Sequence, residues 1–447
     1  MTHGNSDRFP QGPPPSLRRG LYGRMQESPL EFFTGVARDY GDVAGLRLLN
    51  FRTIFINHPD MIEDVLVNHA KKFHKGRVLK ANKRLFGEGL LTSEGDFWLR
   101  QRRLAQPAFH RARIAAYGET MVQYAERALI EWRNGEERDI HEEMMQLTLQ
   151  VVGKTLFDAD VAGDAREVGR TLDLLMRLGA NFGRSILVPL WLPTPRNIRA
   201  TLGIRRLEKI IFRIISERRA SGRDAGGLLS MMLAARDEDG SRMTDRQLRD
   251  ESITIFLAGH ETTANLLSWT WWLLAQNPAV EKKLHEELNG VLGGKAPGLE
   301  DLPKLGYMNN LFTESLRLYP PAWGMARLTI EEHEIAGYPL YPGNGVAFVQ
   351  WVVHRDPRWY DAPEEFRPER WADRLAKRIP RFAYFPFGGG PRQCIGNTFA
   401  LMEASLILAT IAQRFQFRLV PGHQVTPFAS ITLRPRNGIR VTLQPRK

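Results

Sequence analysis

A single cysteine, Cys394, occurs in the 447 residues of this sequence. One thiol cannot form an internal disulfide, which removes the main reason to expect a secreted, oxidised protein and predicts a cytoplasmic location. Residues 1–20, MTHGNSDRFPQGPPPSLRRG, contain no apolar run of the length that a signal peptide or a membrane anchor needs. We therefore expect neither export nor a membrane anchor.

Long apolar runs without an ionisable residue are also missing. The segment 253–275 has about the length of a membrane span, but His260 and Glu261 lie near its middle. A charged side chain at a bilayer centre costs about 2.5–3.5 kcal/mol on insertion scales. The segment is therefore predicted to belong to a long buried helix over about residues 244–277.

Acidic residues are too few to balance the basic ones. Lys and Arg number 62 and Asp and Glu number 50, which gives a formal net charge of +12. Such a charge raises nucleic acid, anionic membrane and acidic proteins as partners. The basic residues are dispersed and no nucleic-acid-binding motif accompanies them, so we expect no nucleic-acid partner and a mostly solvated basic surface.

What the sequence does contain is ample material for a core, because hydrophobic residues make up 43% and charged residues 25%. Residues 1–20 are predicted to be a flexible, proline-rich lead-in and residues 21–447 a single domain. Apolar residues three and four apart indicate helices over most of 59–220. Alternating and β-branched residues predict strands near 41–57, 328–350, 416–420 and 430–443. The predicted fold class is mainly α with small β-sheets.

The stretch around the cysteine, FGGGPRQCIG, is poor in packing side chains. Cys394 lies just ahead of a predicted helix, where free N–H groups and the positive end of the dipole favour a thiolate. These conditions suit either a nucleophile or a metal ligand. A nucleophile needs a general base and a zinc site needs further cysteines or spaced histidines, and the sequence offers neither nearby. One thiolate does suffice as the axial ligand of a haem iron.

The pattern Phe387-x-x-Gly390-x-Arg392-x-Cys394-x-Gly396 resembles the haem-binding signature of the cytochrome P-450 family at every defining position. The resemblance covers roughly residues 20–447 and implies that family's fold, with a long central helix over a haem. It implies haem b, iron protoporphyrin IX, as the cofactor and Cys394 as the metal ligand. Phe387, Arg392 and Gly396 would bind the cofactor.

A second motif, Ala258-Gly-His-Glu261-Thr262-Thr, lies in the long predicted helix. Taken alone, a helical threonine usually bonds the carbonyl one turn back, and here Thr262 could take the Ala258 carbonyl and open the helix locally. The resemblance implies that Ala258 borders the cofactor and a groove for dioxygen. Glu261 and Thr262 would be the catalytic pair that delivers protons for O–O cleavage. His260 is expected to be an ordinary helix residue, because the family's haem has one protein ligand.

A third motif joins Glu314-x-x-Arg317 to a later Pro-Glu-Arg370. Opposite charges three residues apart are common on helix surfaces and carry little information alone. The resemblance implies a partly buried trio that fixes the coil leading to Cys394, so these three residues are predicted to be structural.

A fourth motif, Trp98-x-x-x-Arg102, resembles the pair with which the family holds a haem propionate. Arg392 and Arg327 would add charge-assisted hydrogen bonds to the propionates. Without the resemblance, Trp98 would be a core residue and the arginines surface residues.

The resemblance implies a monomeric haem-dependent monooxygenase that uses O2 and takes electrons from a ferredoxin or flavodoxin with its NAD(P)H reductase. The arginines at 100, 102, 103, 111 and 113 could attract such an acidic donor, or could form an ordinary solvated face. A peroxide-driven enzyme of the same fold and a non-enzymatic haem sensor or carrier remain alternatives, although neither needs the acid–alcohol pair.

Substrate contacts are implied near residues 75–92, 175–210, Phe256, the segment after Pro320, and Ser430. These regions are largely apolar, so a lipophilic fatty acid, terpenoid or steroid-like substrate is expected. Residues 181–200, NFGRSILVPLWLPTPRNIRA, contain three prolines among large apolar residues. They are predicted to be a loop over an apolar cavity or, equally, an ordinary buried connection.

Overall fold

The computed structural model describes residues 8–14, 21–48, 50–77, 79, 83–157, 171, 192–221, 227–237 and 239–446. Its helices, α1 to α16 in chain order, are Leu21–Glu27, Pro29–Tyr40, Pro59–Glu63, Lys83–Phe86, Gly95–Ala105, Arg111–Ala115, Gly118–Ile130, Ile140–Phe157, Pro195–Ser221, Leu228–Ala234, Asp245–Gln276, Pro278–Leu292, Gly306–Leu318, Gln350–Val353, Leu375–Arg378 and Asn397–Arg414. Its strands, β1 to β12, are Val43–Leu48, Phe51–Ile56, Phe73–Lys75, Glu137–Asp139, Met325–Thr329, His333–Ile335, Tyr338–Leu340, Gly345–Phe348, Phe415–Leu419, Pro427–Ala429, Leu433–Pro435 and Arg440–Pro445. The mainly α fold class is confirmed.

The long helix predicted for residues 244–277 is α11, Asp245–Gln276, and it is the centre of the molecule. Thr244 caps it by accepting a hydrogen bond from the Gln247 amide, while the Gln247 side chain accepts one from the Thr244 amide. Helices α8, α9, α13 and α16 pack around it and share one large apolar core. A helix apolar on nearly every side must be enclosed in this way to remove its surface from water.

The strands form small sheets at the edges of the helical body. A five-stranded sheet has the order β1-β2-β8-β5-β3, a three-stranded sheet the order β4-β12-β9, and two hairpins pair β6 with β7 and β10 with β11. The predicted hairpin around Asn50 is confirmed, with Val43 opposite Ile56 and Leu48 opposite Phe51. The strands β3 and β4 lie within the region predicted to be mostly helical. Each has three residues, too few for an alternating pattern.

The described part of the lead-in, residues 8–14, lies against β1. The Gly45 amide donates to the Gln11 carbonyl at 2.8 Å, and the Arg47 guanidinium lies 4.8 Å from the centre of the Phe9 ring. The flexibility of the lead-in stays a prediction. Residues 181–191 of the predicted apolar loop lie outside the described residues, whereas 195–200 begin α9. Among the described helices, none is both long and apolar enough to cross a membrane.

Candidate active site

The loop that carries the cysteine is a tight turn held against the helical turn at 64–68. Residues Gly390–Arg392 form a 3-10 turn, and the Cys394 amide donates to the Phe387 carbonyl at 3.0 Å. Gly390 has φ 66°, and a Cβ added there would lie 1.8 Å from the Leu66 carbonyl oxygen. Only glycine allows both this conformation and this approach, so the loop and its support form one unit.

Cys394 is accessible to water although protein atoms surround its sulfur almost completely. We infer that the sulfur faces an internal space, where both properties hold together. Burial raises the pKa of the Cys394 thiol, while the Gly396 amide and the Arg102 charge lower it to a smaller extent. The amides alone therefore do not secure the thiolate predicted from the sequence, whereas coordination to a metal ion would.

The second wall of an internal space is a short stretch of α11. Between residues 248 and 271 every residue of this helix is buried except Ala258, Gly259 and Thr262. The Thr262 hydroxyl donates to the Ala258 carbonyl at 2.6 Å. The α-helix nevertheless continues through this point, so the local opening predicted from the sequence is not seen. The accessible stretch is lined by small groups and one hydroxyl, and α16, which follows the cysteine loop, packs on the same helix.

Glu261 is buried and its carboxylate lies against the β10–β11 turn. The Thr432 hydroxyl donates to the Glu261 carboxylate, and the Asn265 side-chain amide donates to the same hydroxyl at 3.3 Å. Glu261 and Thr262 are thus neighbours in sequence with different surroundings. The hydroxyl borders the internal space, while the acid contacts a turn that lies 171 residues away in sequence.

His260 is an ordinary residue of the helix interior. It is almost completely buried, and its Nδ1 lies 3.2 Å from the Phe256 carbonyl. Burial lowers the pKa of His260 to about 4, so the imidazole is neutral at physiological pH. Phe256, placed by the sequence near the substrate, is buried and stacks on Phe157 with ring centres 4.2 Å apart.

Three cations gather around one carboxylate at the edge of the cysteine loop. Arg392 pairs with Glu94, donates to the Ser93 carbonyl at 3.0 Å and lies 4.2 Å from the Trp98 ring centre. Burial and the Arg392 charge lower the pKa of Arg327 to about 10. Burial, then the same arginines, lower the pKa of Lys75 well below its ordinary value. This cluster has an excess of positive charge, which fits a ligand that carries carboxylates.

The sequence motifs did not identify Lys75. It lies at the end of β3, and its ammonium donates to the Leu90 and Leu91 carbonyls at 2.9 and 2.7 Å. A lysine in a three-residue strand carries no local signal. Only the pairing of β3 with β5, which places Lys75 opposite Arg327, brings it to the site.

Arg102 lies beside the cysteine loop and next to the cation cluster, where its charge adds to the effect of burial in lowering the pKa of Arg392. The Arg102 guanidinium donates to the Gln393 carbonyl at 2.9 Å and is 6.0 Å from the Trp98 ring centre. The Arg102 charge acts to lower the pKa of Cys394. Trp98 therefore lies between two arginines, with Arg392 the nearer.

The structure brings Glu314, Arg317 and Arg370 together. The Glu314 carboxylate accepts two hydrogen bonds from Arg317 at 2.8 and 2.9 Å and one from Arg370 at 2.9 Å. Arg317 also donates to the carbonyls of His354 and Pro363, at 2.9 and 2.6 Å. These contacts fix the coil between α14 and the cysteine loop from within.

The sequence motifs also did not identify a buried acid, Glu403. Glu403 lies in α16 with no exposed surface, and burial raises its pKa well above the ordinary range, an effect that the nearby Thr263 hydroxyl only partly offsets. Burial therefore favours the protonated form of this acid. A lone glutamate in the apolar segment FALMEASL matches no motif.

These features fit an iron porphyrin. The chain has one thiol, which is accessible, an accessible stretch of small residues on α11, and a cation cluster in which Arg392 belongs to the cysteine loop. Cys394 would hold the metal, Ala258 would lie against the ring, and Arg392, Arg327, Trp98 and Lys75 would hold its acidic substituents. Phe387 packs against the main core and, with Gly396, supports the loop.

Comparisons with known proteins agree with this assignment. A family model described as cytochrome P-450 matches residues 10–443. Cyclooctatin synthase of Streptomyces melanosporofaciens is 39% identical over 94% of this chain and 92% of its own. Cyclooctat-9-en-7-ol 5-monooxygenase of the same species is 38% identical over 88% and 86% of the two chains. Pentalenene oxygenase of Streptomyces avermitilis is 34% identical over 95% and 94%.

Proposed function

This chain belongs to the cytochrome P-450 family and is a haem-dependent monooxygenase, and from this premise we propose that it inserts one oxygen atom from O2 into a cyclic terpenoid. The proposed cofactor is haem b, because the chain's single cysteine leaves no thiol for covalent attachment once Cys394 ligates the iron. A ferredoxin or flavodoxin with its reductase would supply the electrons. The observation that carries the proposal is that Cys394 and the stretch of α11 with Ala258, Gly259 and the Thr262 hydroxyl are both accessible, although the rest of α11 between residues 248 and 271 is buried.

Apolar side chains on loops attached to α11 support a lipophilic substrate. The Leu90 amide donates to Glu251 at 2.9 Å, and Thr432 donates to Glu261, so both loops are fixed at either side of Ala258. Their accessible residues include Leu91 and Ile431, which are apolar. Such walls bind by removing hydrocarbon from water and offer no partner for a charged substrate.

The names of the relatives favour one class of lipophilic substrate. Their names assign a monooxygenase to cyclooctat-9-en-7-ol and an oxygenase to pentalenene, both of them terpenoids. Among the three substrate classes predicted from the sequence, we therefore favour terpenoids over fatty acids and steroids. A compact polycyclic hydrocarbon presents few polar groups, which agrees with the apolar walls.

The proton path is proposed to end at the Thr262 hydroxyl. When bound, the haem supplies oxygen activation, which its thiolate ligand favours. The Thr262 hydroxyl donates a hydrogen bond to the Ala258 carbonyl, which leaves its lone pairs free to accept a hydrogen bond from a water or an acid and to hold that donor in place. Glu261 would deliver protons by releasing Thr432 and turning toward this hydroxyl.

The electron donor is proposed to bind beside Arg102. This arginine contacts the loop residue before Cys394, and Arg103 and Arg113 are exposed on the same segment. Arg100, on the same helix as Arg103, pairs with Asp237 and donates to Ser241. An acidic protein would be attracted to this face and brought close to the ligand side of the haem.

Turnover with labelled oxygen tests the proposal. The haem-loaded enzyme is combined with a ferredoxin or flavodoxin, its reductase, NADPH and a panel of cyclic terpenes, fatty acids and steroids under isotopically labelled O2. We expect a spin-state change with cyclic terpenes and a product that contains one labelled oxygen atom. Product that forms only with added peroxide, or that carries no label, would contradict the proposal.

Charge reversal tests the donor surface in the same system. Arg103→Glu should raise the KM for the donor and weaken its salt dependence, because a surface charge of this kind acts mainly on association. Arg205→Glu changes an equally exposed arginine on α9 and is the matched control. Equal effects of the two variants would contradict the assigned surface.

A further inference from the structure

Three metal-binding side chains meet outside the haem site. We propose that Asp64, His69 and His333 form a binding site for a divalent transition-metal ion, with Zn²⁺ as the best-suited probe. One carboxylate oxygen and one ring nitrogen from each histidine all lie within 4.8 Å of one another. Among the described residues, no other group of three histidine, cysteine or acidic side chains comes this close.

A π-turn creates the first half of the site. Residues Asp64–Asn68 form one π-helical turn after α3, and the His69 amide donates to the Asp64 carbonyl at 2.8 Å. In an α-helix, residues five apart would point about 140° away from each other. The wider turn brings them together instead, with His69 Nδ1 2.6 Å from Asp64 Oδ1. Such turns cost regular helical bonding and often mark functional positions.

The second half comes from the β6–β7 hairpin. His333 Nε2 lies 2.6 Å from Asp64 Oδ2, and the two imidazole rings are 4.6 Å apart at their centres. The His333 side chain is only 8% exposed, and its ring packs edge-on against Phe73. One ligand is therefore fixed in position before any ion binds.

Two nitrogen donors and one carboxylate suit zinc and its neighbours. Zinc binds imidazole at about 2.0–2.1 Å and carboxylate at about 2.0–2.2 Å, so ligand atoms lie roughly 3.4 Å apart in a tetrahedron. Small side-chain rotations would lengthen the contacts of Asp64 with His69 and His333 to this distance. The same rotations would bring the ring nitrogens of the two histidines closer together. The donor set does not suit Mg²⁺ or Ca²⁺, which prefer oxygen ligands.

Exposure and charge favour entry of a cation. The side chains of Asp64 and His69 are 27% and 45% exposed, which leaves a coordination position for water. Exposed Glu331, Glu332 and Glu334 flank His333 and add negative potential. The nearby Lys72 ammonium donates a hydrogen bond to the Glu332 carbonyl at 3.1 Å.

The site would stabilise the support of the cysteine loop. The same π-turn contains Leu66, whose carbonyl lies against Gly390. An ion that joins Asp64, His69 and His333 would tie this turn to β6. At a free Zn²⁺ concentration a hundred times its Kd, we expect the Tm of the holoenzyme to rise by about 3 °C for a chain of this length.

Calorimetry on the untagged, chelator-treated holoenzyme tests the site. Zn²⁺ should bind at one ion per chain, and Mg²⁺ should not bind. Asp64→Asn, His69→Gln and His333→Gln should each weaken Zn²⁺ binding by at least about tenfold, since even losing an outer partner of a ligand costs that much. His110→Gln removes an exposed histidine from another part of the chain and should leave binding unchanged.

The His69→Gln variant keeps the test decisive, because an exposed side chain can be changed without unfolding the protein. X-ray absorption at the zinc edge should show two imidazole nitrogens in the wild type. The proposal fails if Zn²⁺ shows no saturable binding, or if it binds equally well to His69→Gln and His333→Gln. Neither result bears on the haem or on the proposed substrate.

Discussion

Replacing Glu314 with alanine should unfold the support of the haem loop and lower haem content. The carboxylate is completely buried and accepts five hydrogen bonds, two from Arg317 and one each from Arg370, the Arg367 amide and the Trp371 indole. Glu314→Ala removes all five acceptor contacts at once. It leaves the equally buried Arg317 guanidinium without its counter-charge.

The expected loss of unfolding free energy is about 3–5 kcal/mol, the range for removing one partner of a buried ion pair. A typical domain has about 5–15 kcal/mol in total, so the loss is a large fraction of the stability. Arg317 keeps its hydrogen bonds to backbone carbonyls, which argues for the lower half of the range. Glu314→Gln keeps the shape without the charge and should fall between wild type and alanine.

Urea unfolding and haem content per chain measure the effect. The matched control is Glu364→Ala, because Glu364 also pairs with an arginine of the same coil but is 73% exposed. An exposed pair contributes about 1 kcal/mol or less. Wild-type stability and haem content in Glu314→Ala, or equal losses in the two alanine variants, would refute the structural role of the trio.

The Glu314 carboxylate also predicts that the holoenzyme loses folding stability at low pH. Burial alone would raise the pKa of Glu314, but its pairing with Arg317 and Arg370 outweighs burial and holds the pKa below 4.5. A lowered folded-state pKa contributes stability above the unfolded value and loses it as the pH falls through the folded value. Holoenzyme stability should therefore decline below about pH 4.5, and Glu314→Gln should show less of this decline.

Further variants test three groups on or beside α11. Thr262→Ala should lower the product formed per NADPH and raise released peroxide, measured by parallel product and peroxide assays; unchanged coupling would count against the hydroxyl's role. Thr432→Val removes the donor to Glu261 and should shift the pH profile of product formation, while Thr432→Ser should restore it. Burial raises the pKa of Glu251 to about 8, so folding stability should fall as the pH rises from about 4.5 toward 8. Glu251→Gln should flatten this slope in urea midpoints, and an unaltered slope would disprove the assignment.

Local sequence signals were sufficient for the elements with strong patterns. The mostly apolar segment 253–275, within a predicted helix of about 244–277, predicted α11, and alternating residues around Asn50 predicted the β1–β2 hairpin. The π-turn at 64–68 was predicted only as helix, because apolar spacing does not distinguish an α-turn from a π-turn. The strands β3 and β4 have no pattern of their own and exist through their neighbours.

At the site, motifs identified individual residues from the sequence but did not identify the partners that these residues contact. The motifs identified Glu261, but its contact with Thr432 joins positions 171 residues apart, which no spacing rule predicts. Lys75 enters the cation cluster through strand pairing. The role of Arg102 at the propionates stays a prediction, and in the structure its guanidinium donates to the Gln393 carbonyl.

The central claim is that Cys394 is the thiolate ligand of the haem iron, and the carbon monoxide difference spectrum of the reduced protein tests it most directly. The account predicts the strongly red-shifted Soret band of a thiolate-ligated haem, and its loss in Cys394→Ala. A spectrum typical of histidine ligation in the wild-type protein, or an unchanged band in Cys394→Ala, would contradict the claim.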